Sequence, residues 1–292
     1  MASTHDLRVE RLFSVKDYVC VITGGGTGIG LMAAQALAAN GAKVYITGRR
    51  MEALKNAAET HSKGIEGQII PIGPCDVTKK DDIAKLYDEI ASKEKHINLL
   101  ICAAGISGTK AEPEAEKATD LKAKLWNEET FEVWNETYNT DVTAVYFTTV
   151  AFLPLLQAGT EKHGHLAASV IVISSMSGIM RHAQGHFSYN AAKGATVHLS
   201  KLMSAEFQKA RIRVNSIAPG YFPSEMTAKS SGPDQKSELP DEKVQEKGHV
   251  PAQRGGHDEE MAQAVLFLTK NSYVNGEILV VDGGVLNVVS GR

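Results

Sequence analysis

Cysteine is scarce in this 292-residue chain. Cys20, Cys75 and Cys102 stand alone, none in a C-x-x-C pair or in metal-ligand spacing with histidine. That excludes a disulfide framework and a zinc-ribbon type of site, and no metal is expected. Cys20 and Cys102 fall in apolar runs and read as reduced core thiols. Long apolar runs are also missing: none approaches the roughly 20 residues of a membrane-crossing helix. The opening stretch MASTHDLRVERLFSV has no apolar signal-peptide core. A soluble, cytoplasmic protein without a membrane partner is the expectation. A surplus of one charge is absent too. Lys and Arg number 31 against 34 Asp and Glu, and the basic residues do not cluster. This argues against a nucleic-acid partner or an anionic membrane surface.

What is present is an ordinary globular composition, 43% hydrophobic and 22% charged, at a length that suits one α/β domain. Short β-branched runs alternate with helical stretches. Strands are expected at Tyr18–Thr23, Ala42–Thr47, Gln68–Ile72, Ile97–Ala103, Ser169–Ser174, Arg211–Ile217 and Glu277–Val281. Helices are expected at Ile29–Asn40, Met51–Ser62, Asp81–Lys93, Phe131–Gln157, Ser188–Lys209 and Glu259–Thr269. Apolar, two-sided strands separated by helices imply a Rossmann-type α/β fold: a doubly wound parallel sheet with helices on both faces, in a single domain spanning 1–292. Residues 1–14 form an N-terminal extension. Two segments break the pattern: the charged stretch Ser107–Asn127 and the polar stretch Ala228–Gln253. Both follow C-terminal strand ends, where such sheets bind ligands. Each reads either as a surface insertion or as a substrate lid.

The first strand runs into Thr23-Gly24-Gly25-Gly26-Thr27-Gly28-Ile29-Gly30, and a helix follows. Glycines permit positive φ and close backbone approach, and a helix N-terminus offers free N–H groups to a pyrophosphate. The spacing T-G-x-x-x-G-I-G resembles that of the short-chain dehydrogenase/reductase (SDR) family. At the end of the second strand, a carboxylate would bind the ribose of NAD and repel a 2′-phosphate. The chain reads Thr47-Gly48-Arg49-Arg50 instead, so Arg49 and Arg50 point to NADP(H). The resemblance implies that Asp76 and Val77 contact the adenine ring. It also implies that Ala103, Ala104 and Gly105 line the ribose; Gly105 is kept, but the family's two asparagines are replaced by Cys102 and Ala103.

Tyr189 and Lys193 form Tyr-Asn-Ala-Ala-Lys at a helix start, and a spacing of four puts both on one face. A nearby ammonium favours the phenolate and fits tyrosine for proton exchange with a carbonyl or alcohol oxygen. Upstream, Ser175 lies three residues before Gly178. The family resemblance implies that Ser175 orients the substrate oxygen, Tyr189 transfers the proton, and Lys193 tunes Tyr189 and holds the ribose. The family commonly has Asn on the preceding long helix, ordering a water partly through its main-chain carbonyl. Here Asp141 aligns with it and is expected as a proton-relay member with altered electrostatics. Asn215-Ser216-Ile217-Ala218-Pro219-Gly220 resembles the family's N-x-x-x-P-G. Pro219, Gly220, Phe222 and Ser224 would accordingly line the nicotinamide end. Met176, Met180, His182, His186, Phe187 and Tyr221 flank the expected substrate space. These residues either contact an apolar or aromatic substrate or simply pack the loops.

The resemblance covers about residues 15–286. It implies hydride transfer between NADP(H) and a carbonyl or alcohol substrate. The flanking sequences resemble fungal members, many of them in lipid or secondary metabolism. An imine reductase, or an NADP(H)-dependent cyclase, is the alternative, since Asp141 would complement a cationic iminium. A homodimer or homotetramer built on the two long helices is the expected assembly.

Overall fold

A computed structural model describes residues 4–164 and 167–289. Residues 1–3 of the N-terminal extension lie outside the described residues. Seven strands form one sheet: β1 Val19–Thr23, β2 Lys43–Thr47, β3 Gln68–Ile72, β4 Leu99–Cys102, β5 Ser169–Ile173, β6 Arg213–Pro219 and β7 Ile278–Val281. All pairings are parallel, in the order β3-β2-β1-β4-β5-β6-β7. This is the doubly wound, single-domain α/β fold that the strand–helix alternation implies. The order reverses between β1 and β4, so a crevice opens at their carboxyl ends. Thr23 pairs with both Thr47 and Cys102, so the loops after β1, β2 and β4 emerge side by side.

The two sheet faces follow from the period of two along each strand. Cys20 and Ile22 of β1 join Ile46, Ile101 and Ile171 against the helices Gly28–Ala39 and Asp258–Lys270. Val19 and Val21 join Leu100, Val170 and Val172 on the opposite face, with Leu86, Phe152, Leu156 and Met203 from three helices. Residues of β1, β4, β5 and β6 are buried throughout, as an inner parallel strand requires. The three cysteines are free and buried. Burial pushes the Cys102 thiol up to about 12.

Several boundaries differ from the sequence reading. The long helix runs on past Gln157 to His163, and a π-turn at Asn139–Thr143 interrupts it. By length and composition the stretch Phe131–His163 is apolar enough to cross a membrane, contrary to the expectation that no segment approaches this. Its threonines and aromatic side chains hide that character from a search for unbroken aliphatic runs. Less than half of its most apolar 18 residues are buried, and Val145, Phe152 and Leu156 pack against the sheet. The segment 107–127 holds an unexpected helix, Ala118–Glu128, that buries no side chain. The segment 228–253 contains the short helix Asp241–Gln245. Its Val244 and Val250 pack with Met176, Met180 and Val285 in a separate apolar cluster.

Candidate active site

The glycine loop owes its shape to backbone crowding. Gly24 and Gly28 have φ of 66° and 52°, a region unfavourable to side chains. A Cβ on Gly24 would lie 2.7 Å from the Ala104 nitrogen, and one on Gly30 would lie 2.2 Å from the Gly24 carbonyl oxygen. Thr27 precedes the helix in extended conformation, and no side chain caps the first turn. The N–H groups there are left for an anion. A cleft runs from this loop past Arg49, Arg50, Asp76 and Val77 to Ala103, Ala104 and Gly105. It ends at Ser175, Tyr189, Lys193, Pro219, Gly220, Phe222 and Ser224, and Gly26 and Ile29 also line it. Among the cofactor residues expected from sequence, Thr23 alone is not part of this lining. It closes β1, is buried, and its carbonyl accepts the Ala103 N–H at 3.2 Å. The cradle and the uncapped helix end fit a dinucleotide.

At the adenosine end, Arg50 is engaged. Its guanidinium grips Glu225 through two hydrogen bonds of 3.0 and 2.6 Å across the cleft. Nothing in the sequence spacing indicated this partner. Asp76 accepts hydrogen bonds from the Thr78 N–H at 3.1 Å and hydroxyl at 2.7 Å. Burial pushes its carboxyl upward, but those bonds and the charges of Lys79 and Arg49 outweigh it and hold the group below its ordinary value.

The catalytic candidates converge although they come from three elements. Ser175 follows β5 in extended backbone, and its hydroxyl accepts the Ser177 N–H at 3.0 Å, starting a tight turn through Gly178. A Cβ on Gly178 would come within 2.4 Å of the Lys193 carbonyl carbon, so glycine lets the serine loop lie on the helix Phe187–Phe207. Tyr189 and Lys193 stand one turn apart on that helix, with Nζ 5.6 Å from the phenol ring centre. Tyr189 and Ser175 line the same end of the cleft, and the Ser175 hydroxyl favours the ionised phenol. Lys193 donates to the Ile173 carbonyl at 3.1 Å.

The π-turn brings Asp141 to the far side of Lys193. Its Oδ1 accepts the Ile106 N–H at 2.9 Å, and Oδ2 stands 3.5 Å from Nζ. Among the described residues Oδ2 has no hydrogen-bond partner, so the contact is an ion pair at the outer limit of hydrogen-bond reach. Asp141 is fully buried. Its main-chain carbonyl accepts the Thr196 hydroxyl at 2.7 Å. That hydroxyl also lies 2.9 Å from the Ala192 carbonyl, and beside this main-chain contact the carboxylate itself reaches Lys193. Burial raises the Asp141 pKa, only partly offset by Lys193 and the Ile106 N–H. For Lys193, burial lowers the value, but Asp141 and Tyr189 together raise it above the ordinary one. For Tyr189, burial raises the value, Lys193 lowers it and Asp141 raises it again, leaving it high.

The expected substrate residues sit beyond this cleft: none of Met176, His182, His186, Phe187 and Tyr221 lines it. Met176 and Met180 are buried in the apolar cluster shared with Val244 and Val250, so they anchor the 228–253 segment. The Tyr221 hydroxyl is held by Gln184 at 3.0 Å and lies 3.1 Å from His249 Nε2. His182 is exposed, and its Nδ1 accepts the Gln184 N–H at 3.2 Å. Phe187 opens the catalytic helix and is half-buried. His186 stands just before that helix under the 107–111 strap, where the Ala111 N–H donates to the Gly185 carbonyl at 2.7 Å. Burial and the Lys110 charge depress its pKa, with backbone bonds to Thr109 and Ser107 opposing. Sequence reasoning missed Thr196, Ile106 and Glu225. Thr196 lies three residues beyond Lys193 and Ile106 directly follows Gly105, so only position relative to known motifs could have flagged them.

A glycine-cradled anion cleft ending in a Ser–Tyr–Lys group defines a dinucleotide-dependent oxidoreductase of doubly wound fold. Residues 24–286 match the family model described as Enoyl-(Acyl carrier protein) reductase. The short-chain dehydrogenase/reductase PhomF of Diaporthe leptostromiformis is 38% identical, over 98% of this chain and 97% of that protein. VdtF of Byssochlamys spectabilis, also a short-chain dehydrogenase/reductase, is 35% identical over 95% of each. Among solved structures, the Pseudomonas aeruginosa RhlG/NADP active-site complex superposes with a TM-score of 0.79 at 28% identity, covering 94% of this chain and 98% of that one. The chain belongs to the short-chain dehydrogenase/reductase family of oxidoreductases and resembles its fungal members.

Proposed function

We propose that the protein is an NADP(H)-dependent carbonyl reductase in which Tyr189 is the general acid. The observation that carries this is the Ser175–Tyr189–Lys193 group at the floor of the cleft that the glycine loop opens, with Ser175 and Lys193 buried and Tyr189 half-buried. The nicotinamide supplies the hydride. Ser175 orients the carbonyl oxygen by hydrogen bond, and Tyr189 gives it the proton. Lys193 holds the ribose and, from the other side, the Ile173 carbonyl and Asp141. Arg49 and Arg50 take the 2′-phosphate, with Arg50 exchanging Glu225 for it. The RhlG complex with NADP supports this cofactor, and relatives that are 3-oxoacyl-[acyl-carrier-protein] reductases support carbonyl reduction. The substrate is a small, fairly apolar carbonyl compound of fungal secondary metabolism. The 228–253 segment covers it, tied down through Tyr221, His249 and Gln184. Asp141 is matched by Lys193 and leaves no spare negative charge for an iminium, so the carbonyl reading is favoured over imine reduction or cyclisation. The enzyme works in the cytoplasm.

The test is turnover of NADPH against NADH over a panel of ketones, quinones and cyclic imines. NADPH-selective ketone reduction is expected; tight NADPH binding with turnover of imines alone would overturn the reading. Arg49→Ala should weaken NADPH binding about tenfold, the loss of one charge-assisted hydrogen bond, and leave NADH binding in place. Equal losses for both cofactors would place Arg49 outside the phosphate site.

Assembly is proposed through the two long helices. Tyr146, Phe147 and Leu202 expose apolar surface on them, 42%, 38% and 51% accessible. Such a surface suits a second copy of the chain. Light scattering at micromolar concentration should give a dimer or tetramer, and Leu202→Glu should shift it toward monomer. A wild-type monomer would refute this assembly.

A further inference from the structure

Asp141 differs from the other candidates because it contributes a buried charge rather than a hydrogen-bond donor. We infer that Asp141 sets the pH range of the proton transfer: its carboxylate against Lys193 keeps Tyr189 protonated through neutral pH, so the phenol stands ready to give a proton to a carbonyl and becomes the base for an alcohol only at high pH. This rests on Tyr189 being the proton-transfer group, as proposed above.

The geometry supplies the reason. A lone ammonium beside a phenol stabilises the phenolate and so favours the base needed for alcohol oxidation. Here the ammonium sits between the Tyr189 ring, 5.6 Å away, and Asp141 Oδ2, 3.5 Å away. The carboxylate cancels much of its pull, and little solvent screens that pair, because Lys193 and Asp141 are both buried while Tyr189 is half-buried at the cleft floor. Among the described residues, Lys193 and Asp141 are the charges that act on the phenol. Ser175 faces it from the loop after β5, and the Ile173 carbonyl faces Lys193 from β5 itself. The Ile106 N–H faces Asp141 from the loop after β4. His186 begins the same helix as Tyr189; its charged neighbours are Lys110 and Lys247.

The step balances simply. In reduction, the carbonyl carbon gains the hydride from reduced nicotinamide and the oxygen gains the Tyr189 proton; the O–H bond of the phenol breaks and solvent later restores it. In oxidation, the alcohol proton must pass to a tyrosinate while its carbon gives a hydride to the oxidised nicotinamide. Asp141 raises the population of the first starting state and depletes the second.

The experiment is an ultraviolet titration of tyrosinate in the cofactor-free protein, wild type minus Tyr189→Phe, followed by the pH dependence of both reaction directions. Wild-type Tyr189 should titrate above the ordinary value of about 10. Asp141→Asn should lower that midpoint by at least about one pH unit and move the rise of alcohol oxidation with pH down by the same amount. Reduction should then fall off at lower pH than in the wild type. An unchanged or raised midpoint in Asp141→Asn overturns the inference. If that variant does not fold, Asp141→Ser is read the same way, and a wild-type Tyr189 titrating below about 9 overturns it with no variant at all. The titration is independent of turnover. Full activity in Tyr189→Phe would instead sink the assignment of Tyr189 as the acid.

Discussion

Tyr189→Phe should lower kcat/KM for carbonyl reduction by about 10²- to 10⁴-fold, the usual worth of a positioned general acid, without loss of NADPH affinity. The substitution removes one oxygen and keeps the ring. Lys193 retains its bond to the Ile173 carbonyl and its pairing with Asp141, so the ammonium stays in place to hold ribose. The Ser175 hydroxyl keeps its bond from the Ser177 N–H. What disappears is the proton donor and the link from Tyr189 to Ser175. Single-turnover kinetics beside NADPH fluorescence separates the two effects. If kcat/KM survives within about tenfold of wild type, proton transfer is made by another group.

Gly30→Ala should abolish cofactor binding and destabilise the fold together. Alanine is the better helix former, worth up to about 1 kcal/mol over glycine at an exposed helical site. That preference loses here, because the new Cβ would sit 2.2 Å from the Gly24 carbonyl oxygen and 3.1 Å from the Gly25 Cα. Loop and helix must part, at the roughly 1–3 kcal/mol typical of overpacking or more, since backbone rather than a side chain must move. The displaced N–H groups are those meant for the pyrophosphate. Thermal unfolding with and without NADPH checks both parts: the variant should melt lower, and the stabilisation that NADPH gives the wild type should vanish. A variant that melts no lower and keeps that stabilisation would mean the loop tolerates a methyl group, contrary to this packing.

Much of the frame was legible because it is written locally. The strand runs alternate between two faces, and the sheet uses both, so β1, β2 and β5 fall inside their expected spans. Errors gathered where local signals conflict with context. Segment 107–127 reads as a charged surface insertion or a lid with no element assigned, and Ala118–Glu128 winds into a helix there without burying any residue. The helix at Phe131 looks uninterrupted in sequence; nothing in Asn139–Thr143 announces a π-turn, although that widened turn turns Asp141 inward. Met176 and Met180 fall close to Ser175 in sequence and read either as substrate contacts or as loop packing. The structure gives them to the packing of the 228–253 segment.

The sequence by itself determined the α/β alternation, the place of the glycine loop and the spacing of Tyr189 and Lys193. Each depends on backbone freedom or periodicity within a few residues of chain. Only the tertiary structure decided that Arg50 meets Glu225, that Thr196 contacts the Asp141 carbonyl, and that Asp141 stands against Lys193. Those pairings join segments far apart in the chain. Their energies depend on burial and on distances of a few ångströms, quantities that arise only once the sheet has brought its carboxyl ends together.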